Sequence, residues 1–255
     1  MSSPIWTPAA LSSERAPYAG RCWRLVEAQH RVSTLKLVDT LAEQSLLEGL
    51  IEASKPAIPP ECRDLHYLLA TPFRYGADYP KGSRFRRAGR TLGVFYAAER
   101  LRTAVAEHAF HRLLFFAESP ATPWPSGAAE YTAFCVALAT RNGLDLTKPP
   151  LARDRALWVD PIAYEPCQEL AESARAGGVE LIRYEAARDE AGGVNVAVLL
   201  CAAFAAPNPL EPSTWRIRLS ASGVQAICEF PAARLEFDRA AFAGDPRIAA
   251  LNWRR

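Results

Sequence analysis

Residues 72–107 read PFRYGADYPKGSRFRRAGRTLGVFYAAERLRTAVAE, and the fold is read outward from this stretch. It opens with an arginine-rich loop punctuated by Gly82 and Gly89. An apolar strand, LGVFYA, follows and ends beside Tyr96. A helix over Glu99–Phe116 comes next, because Leu101, Val105, Phe110 and Leu113 recur at helical spacing. Loop, strand and helix in that order deliver cations, an aromatic surface and one acid, Glu107, to a single neighbourhood.

Upstream, CWRLVEA (22–28) reads as a strand. STLKLVDTLAEQSLLEGLIEASK (33–55) has helical spacing. Leu35, Val38, Leu41, Leu46, Leu47, Leu50 and Ile51 fall near one face, Ser33 or Thr34 can cap it, and Pro56 stops it. LHYLLAT (65–71) is a short apolar strand or helix. Residues 1–20, rich in Pro, Ser and Ala, are expected to be a loose arm.

Downstream, YTAFCVALAT (131–140) is a buried strand and residues 149–161 a loop. A helix over 167–176 is closed by Gly177 and Gly178. VELIRYEA and NVAVLLCAAF are strands around the Gly192–Gly193 turn, and WRIRLSASGVQAICEF folds as a hairpin turning at Ser222–Gly223. The tail ends basic. Many short strands mixed with a few helices, without repeats or a long linker, predict one compact α+β domain over residues 21–255.

The 255 residues are 49% hydrophobic and 23% charged, a globular composition able to bury a full core. A net charge of +2 provides no field for nucleic acid or an anionic membrane surface, so neither is an expected partner. The most apolar run, VNVAVLLCAAFAAP, is too short to span a bilayer, and the first residues lack the pattern of a signal peptide; a cytoplasmic protein is expected. Six dispersed cysteines without a CxxC pair then read as reduced, mostly buried thiols. His108 and His111 stand three apart beside Glu107, but no second ligand cluster accompanies them, so no metal is expected.

The chemistry concentrates in the opening stretch. Arginine presents a planar fork suited to phosphate, so Arg74 and Arg84 on a glycine-containing loop can hold a diphosphate. Tyr75 and Tyr96 offer faces for a base or nicotinamide ring. Glu107, on an otherwise apolar helix face, can bond a ribose hydroxyl or stabilise an oxocarbenium ion. The competing structural reading makes the arginines a solvated loop and pairs Glu107 with one of them. Walker, GxGxxG, HExxH and GxSxG signatures are missing from the sequence.

WRLVEAQHRVSTLKLVDTLAEQSLLE, LLATPFRYGADYPKGSRF and GVFYAAERLRTAVAEHAFHRLLFF together resemble the RES-domain family, and within it the longer ParT-like branch. The resemblance runs from about Trp23 to Phe204. It implies a fold similar to diphtheria-toxin-like ADP-ribosyltransferases and a toxin that consumes NAD as its substrate, without a metal. Three acceptors stand open: a target protein that is ADP-ribosylated, phosphate, or water. The resemblance further implies a cognate antitoxin with a helix-turn-helix domain.

Residue by residue, it places Ser83 and Arg84 in the family's Gly-Arg-aromatic loop, with Tyr96 as the strand tyrosine and Glu107 as the helix glutamate. The family's first arginine falls on Arg24, Arg31 or Arg74. Catalysis is thereby assigned to Glu107, Tyr96 and Arg31, and NAD binding to Arg84, Arg74, Tyr75, Arg24 and Ser83. Where the family has a serine in a Tyr-x-Ser-x-Arg-Asp stretch, this chain has Ala186 between Tyr184 and Arg188–Asp189. The missing hydroxyl keeps a non-catalytic binding module as the alternative.

Overall fold

A computed structural model describes residues 6–28, 34, 37–76 and 80–253. Five strands close a ring: β1 (Ala16–Glu27), β2 (Phe95–Ala98), β5 (Val194–Val198), β4 (Leu181–Glu185) and β3 (Ala129–Asp145), with β3 returning to β1. The β3–β4 pairing is parallel and every other pairing is antiparallel. β3 makes this possible by its length. One edge runs along β1, while the other takes β4 near Gly143–Asp145 and β6 (Leu210–Ser220) near Ala129–Cys135. From β6 the sheet continues outside the ring through β7 (Gly223–Cys228) and β8 (Ala233–Asp238).

Strand alternation sorts the side chains. Val196 and Val198 of β5 join Phe95, Phe134, Val136 and Leu181 in one apolar cluster, whereas Ala197 turns the other way to meet Ile182 and Tyr184. The second face is the one that matters for the site. Trp23, Ala98, Asn195 and Tyr184 are direct partners across β1, β2, β5 and β4, so their side chains emerge as one row on the same side.

Above that row lies the helix expected after Tyr96, observed as Leu101–Glu118. Numbered in chain order, the α-helices among the described residues are α1 (Pro8–Ser13), α2 (Leu41–Ser54), α3 (Tyr67–Arg74), α4 (Leu101–Glu118), α5 (Arg155–Trp158), α6 (Glu165–Ala176) and α7 (Pro246–Ala249). α4 packs on β1, β2, β5 and α7. It buries Val105, Phe110 and Leu113 as its spacing requires, each contributing about 1.5–3 kcal/mol of transfer free energy. Leu101 is partly buried at the rim of the same cluster.

Two glycines set the approach of the loops to this scaffold. A Cβ on Gly93 would collide with the Pro72 carbonyl, so the arginine loop can close onto α3 only with glycine there. A Cβ on Gly193 would strike Thr103, in the first turn of α4, and Asp189, whose carboxylate accepts from the Thr103 hydroxyl at 2.7 Å.

Several expectations are corrected. Residues 8–20 are not loose: Thr7 caps α1, Leu11 is fully buried, and β1 begins at Ala16. The helix expected from Ser33 is described from Leu41, capped by Thr40 and Glu43 in a capping box, and it buries none of its residues. Leu41, Leu46 and Leu50 are exposed. Its spacing is helical, but among the described residues no neighbouring layer buries the apolar positions. Ser33 and Leu35 lie outside the described residues.

The loop over 149–161 contains a 3-10 turn (Leu151–Asp154) and α5, and the tail holds the unanticipated β8 and α7. NVAVLLCAAF leaves the sheet after Val198, where Cys201–Ala203 form a 3-10 turn. Cys62 and Cys201 are joined as a disulfide, contrary to the expectation of reduced thiols throughout; Cys22, Cys135, Cys167 and Cys228 are free and buried. Sequence separation of 139 residues hid that pair, since only the fold brings its two 3-10 turns together.

Candidate active site

A cleft of about 830 Å³ opens over the Trp23–Ala98–Asn195–Tyr184 row, walled on one side by α4 and on the other by the arginine loop. Of the residues singled out in the sequence, Arg24, Ser83, Arg84, Tyr96 and Glu107 meet here. Arg31 lies outside the described residues. Arg74 and Tyr75 do not line the cleft: Arg74 pairs with Glu52 at 2.6 Å and donates to the Pro56 carbonyl, fastening the end of α2. Tyr75 ends α3, and its carbonyl accepts from Arg86 and from the Gly93 amide. The physical reason is position along the chain. Arg74 is the last residue of α3 and faces α2 there, whereas the turn at Ser83–Arg86 is docked on the sheet at Tyr96.

Ser83 and Arg86 close a tight turn by reciprocal backbone bonds. That turn is docked on Tyr96, whose hydroxyl accepts from the Phe85 amide at 3.0 Å and bonds Ser83 Oγ at 2.8 Å. Arg84 is thereby carried inward and is 8% exposed. It donates to the Trp158 carbonyl at 2.7 Å and lies over the Tyr164 ring at 4.7 Å. From β1, Arg24 donates to the Tyr96 carbonyl at 2.7 Å and lies over Phe95, while its Nε has no partner. Burial pushes Arg24 down to about 10, so it stays protonated at neutral pH. Neither arginine has a carboxylate partner among the described residues. The solvated-loop reading fails for Arg84, and it holds better for Arg87 and Arg90, which reach Glu172.

Glu107 presents part of its surface to the cleft, though protein surrounds it on nearly all sides. Its one hydrogen bond among the described residues is accepted from Asn195 Nδ2 at 2.6 Å. Desolvation raises its carboxyl above the ordinary value, against the opposing pull of the Asn195 bond and of the nearby Arg188 and Arg84 charges. Glu107 thus has cations near it and none bonded to it. His108, one residue on, is driven down to about 4 by burial and is neutral at pH 7.

Sequence reading missed part of the wall. Asn195 was detectable as the lone amide inside the apolar run VNVAVLL, a polar residue that β5 buries to 4% exposure. Tyr164, Tyr184 and Arg188 also line the cleft, as does Arg247 from α7. Arg188 donates to the Pro161 carbonyl at 2.6 Å and reaches the Tyr164 hydroxyl at 3.3 Å. Ala186 is buried just after β4 and is not among the lining residues. Nothing near Arg247 in the sequence marks it as a site residue, because fold contacts over 80 residues long bring it in.

Among the described residues no group of three His, Cys, Asp or Glu side chains could hold a metal, and no helix is long and apolar enough to cross a membrane. A family model described as the RES domain matches residues 58–220. Among solved structures, the chain is similar to one in the crystal structure of the M. tuberculosis MbcT–MbcA toxin–antitoxin complex. The two share 14% identity over 92% of this chain and 93% of that one, with a TM-score of 0.44. No curated protein matches the chain.

Proposed function

The chain belongs to the RES-domain family, and from that membership we propose that it is the toxin of a toxin–antitoxin pair that consumes NAD. The reaction is cleavage of the bond between nicotinamide and ribose, with transfer of ADP-ribose to a target protein. The observation that carries this reading is a carboxylate, Glu107, left unpaired by cations in a cleft that also holds two arginines without acids, Arg24 and Arg84.

The chemistry suits those residues. A diphosphate is the natural counterion for Arg24 and Arg84, which backbone carbonyls aim but do not neutralise. The C–N bond to nicotinamide breaks with its electron pair going to the positively charged ring nitrogen, so the leaving group departs neutral without an acid. What remains is a cation on the ribose, and an ionised Glu107 held by Asn195 is placed to stabilise it. Tyr96, fixed through its hydroxyl by the loop, offers its ring as the wall for the bound base. A nucleophile on the target protein then bonds the ribose carbon and loses its proton to solvent.

The relation to diphtheria-toxin-like ADP-ribosyltransferases belongs to the same proposal. So do a cytoplasmic setting and a helix-turn-helix antitoxin that covers the cleft. The position of Ala186 outside the lining supports a working enzyme over a non-catalytic module. Purified protein mixed with NAD is expected to release nicotinamide, and Glu107→Gln to abolish that release while keeping the fold. Adding cell extract and labelled NAD is expected to yield a labelled protein band. Nicotinamide release without a band would move the acceptor to phosphate or water, and adding phosphate would separate those two.

A further inference from the structure

The matched family region ends at residue 220, yet the cleft is completed by Arg247, beyond it. Asp245, 2% exposed, stands at the N-terminus of α7, where it caps the Arg247 amide. Its Oδ2 pairs with Arg188 at 3.2 Å and with Arg247 at 2.7 Å, and its Oδ1 accepts from Arg247 Nε at 3.0 Å. Burial alone would raise this carboxyl, but its bonds to Arg247 and the Arg188 charge outweigh that and hold it below the ordinary range.

Arg188 is the residue at stake. Its guanidinium lies 3.8 Å from the centroid of the Phe110 ring. Phe110 is three residues from Glu107 on α4, so Arg188 rests on the helix beside that carboxylate. A buried arginine next to an unpaired acid ordinarily closes onto it, because the low local dielectric strengthens the attraction. Here it does not. Arg188 is turned to Asp245 and to the Pro161 carbonyl instead.

We infer that Asp245 is a positioning residue for the cleft: it engages Arg188 and so keeps the Glu107 carboxylate free for the substrate's ribose. The inference rests on the function proposed above only for what Glu107 does; the arrangement of charges stands without it. Other groups facing Glu107 are Arg84 from the loop, Tyr184 from β4, Asp189 after it, Asn195 from β5 and His111 on α4. Among the cations in this set, Arg188 is the one whose acid partner comes from α7.

The test titrates Glu107 by NMR on protein with labelled glutamate, using Glu107→Gln to assign its signal, and runs nicotinamide release alongside. In Asp245→Asn, Arg188 is expected to turn to Glu107, so the Glu107 midpoint moves to lower pH and kcat falls about tenfold with KM changed less. In an Arg188→Gln background the same substitution is expected to add no further loss of kcat, since its effect passes through Arg188. An unmoved Glu107 midpoint in folded Asp245→Asn overturns the inference. If Asp245→Asn does not fold, Arg188→Gln alone decides: its Glu107 midpoint must rise, and one that stays put equally overturns the inference. A wild type inert toward NAD would sink the proposed function while leaving the titration to judge this inference by itself.

Discussion

The arginines at the end of α3 and in the loop that follows show how one residue type serves two ends. Arg74, closing α3, meets a carboxylate, Glu52, and Arg87 beyond the tight turn meets Glu172. Arg84 meets a backbone carbonyl and an aromatic ring. A carboxylate consumes the charge it binds; a carbonyl orients the guanidinium and leaves the charge available. The difference separates arginines that join elements together from those that await a ligand, and it is invisible in the spacing of the arginines themselves.

The sharpest way to break the comparison is at the acid both sets of arginines avoid. Glu107→Gln is expected to lower nicotinamide release by at least about 100-fold, the scale of losing one transition-state electrostatic partner, with the melting temperature not reduced. Next comes the pair of arginines. Arg84→Ala should raise KM for NAD and cost about 10- to 100-fold in kcat/KM, as for loss of a charge-assisted contact. Arg74→Ala should leave kcat/KM within about twofold and lower stability by about 1 kcal/mol or less, because its acid partner is largely exposed. Equal losses from the two substitutions would erase the distinction.

The pH dependence sharpens it further. The Glu107 carboxyl is raised in the folded protein by desolvation, so the stability contribution of its neutral form is present in acid and is lost as pH rises through the folded midpoint. Glu107→Gln should therefore melt higher than wild type at pH 7, with the gap closing toward pH 4. Activity should run the opposite way, falling in acid at a midpoint above the ordinary 4.5 of glutamate. The smallest effect is expected on α2. Leu46→Ser should change unfolding free energy by less than about 0.5 kcal/mol, since that side chain is 65% exposed.

How much was legible in the sequence follows the same line between local and non-local causes. The strand at Tyr96 and the helix carrying Glu107 were readable because a run of four to eighteen residues carries its own period. Arg24, Ser83, Arg84, Tyr96 and Glu107 were readable through resemblance and residue chemistry, and the cleft does gather them. Arg74 falls outside the cleft because it closes α3 against α2, and the sequence has no marker for where that helix ends. For α2, helical spacing predicted a buried face, but burial depends on what lies opposite, and that is a property of the whole fold. Asp245 and Arg247 were out of reach for the same reason: Asp245 joins the cleft through Arg188, and Arg247 through Pro161, both far away in the sequence.

The loop from Trp158 to Tyr164 receives three arginines from three separate parts of the molecule. Arg84 bonds the Trp158 carbonyl, and Arg188 and Arg247 both reach that of Pro161. Carbonyl oxygens belong to every residue type, so no side-chain substitution at 158 or 161 removes the acceptor itself. The clasp is thus broken most directly at the arginines, which supply its donors.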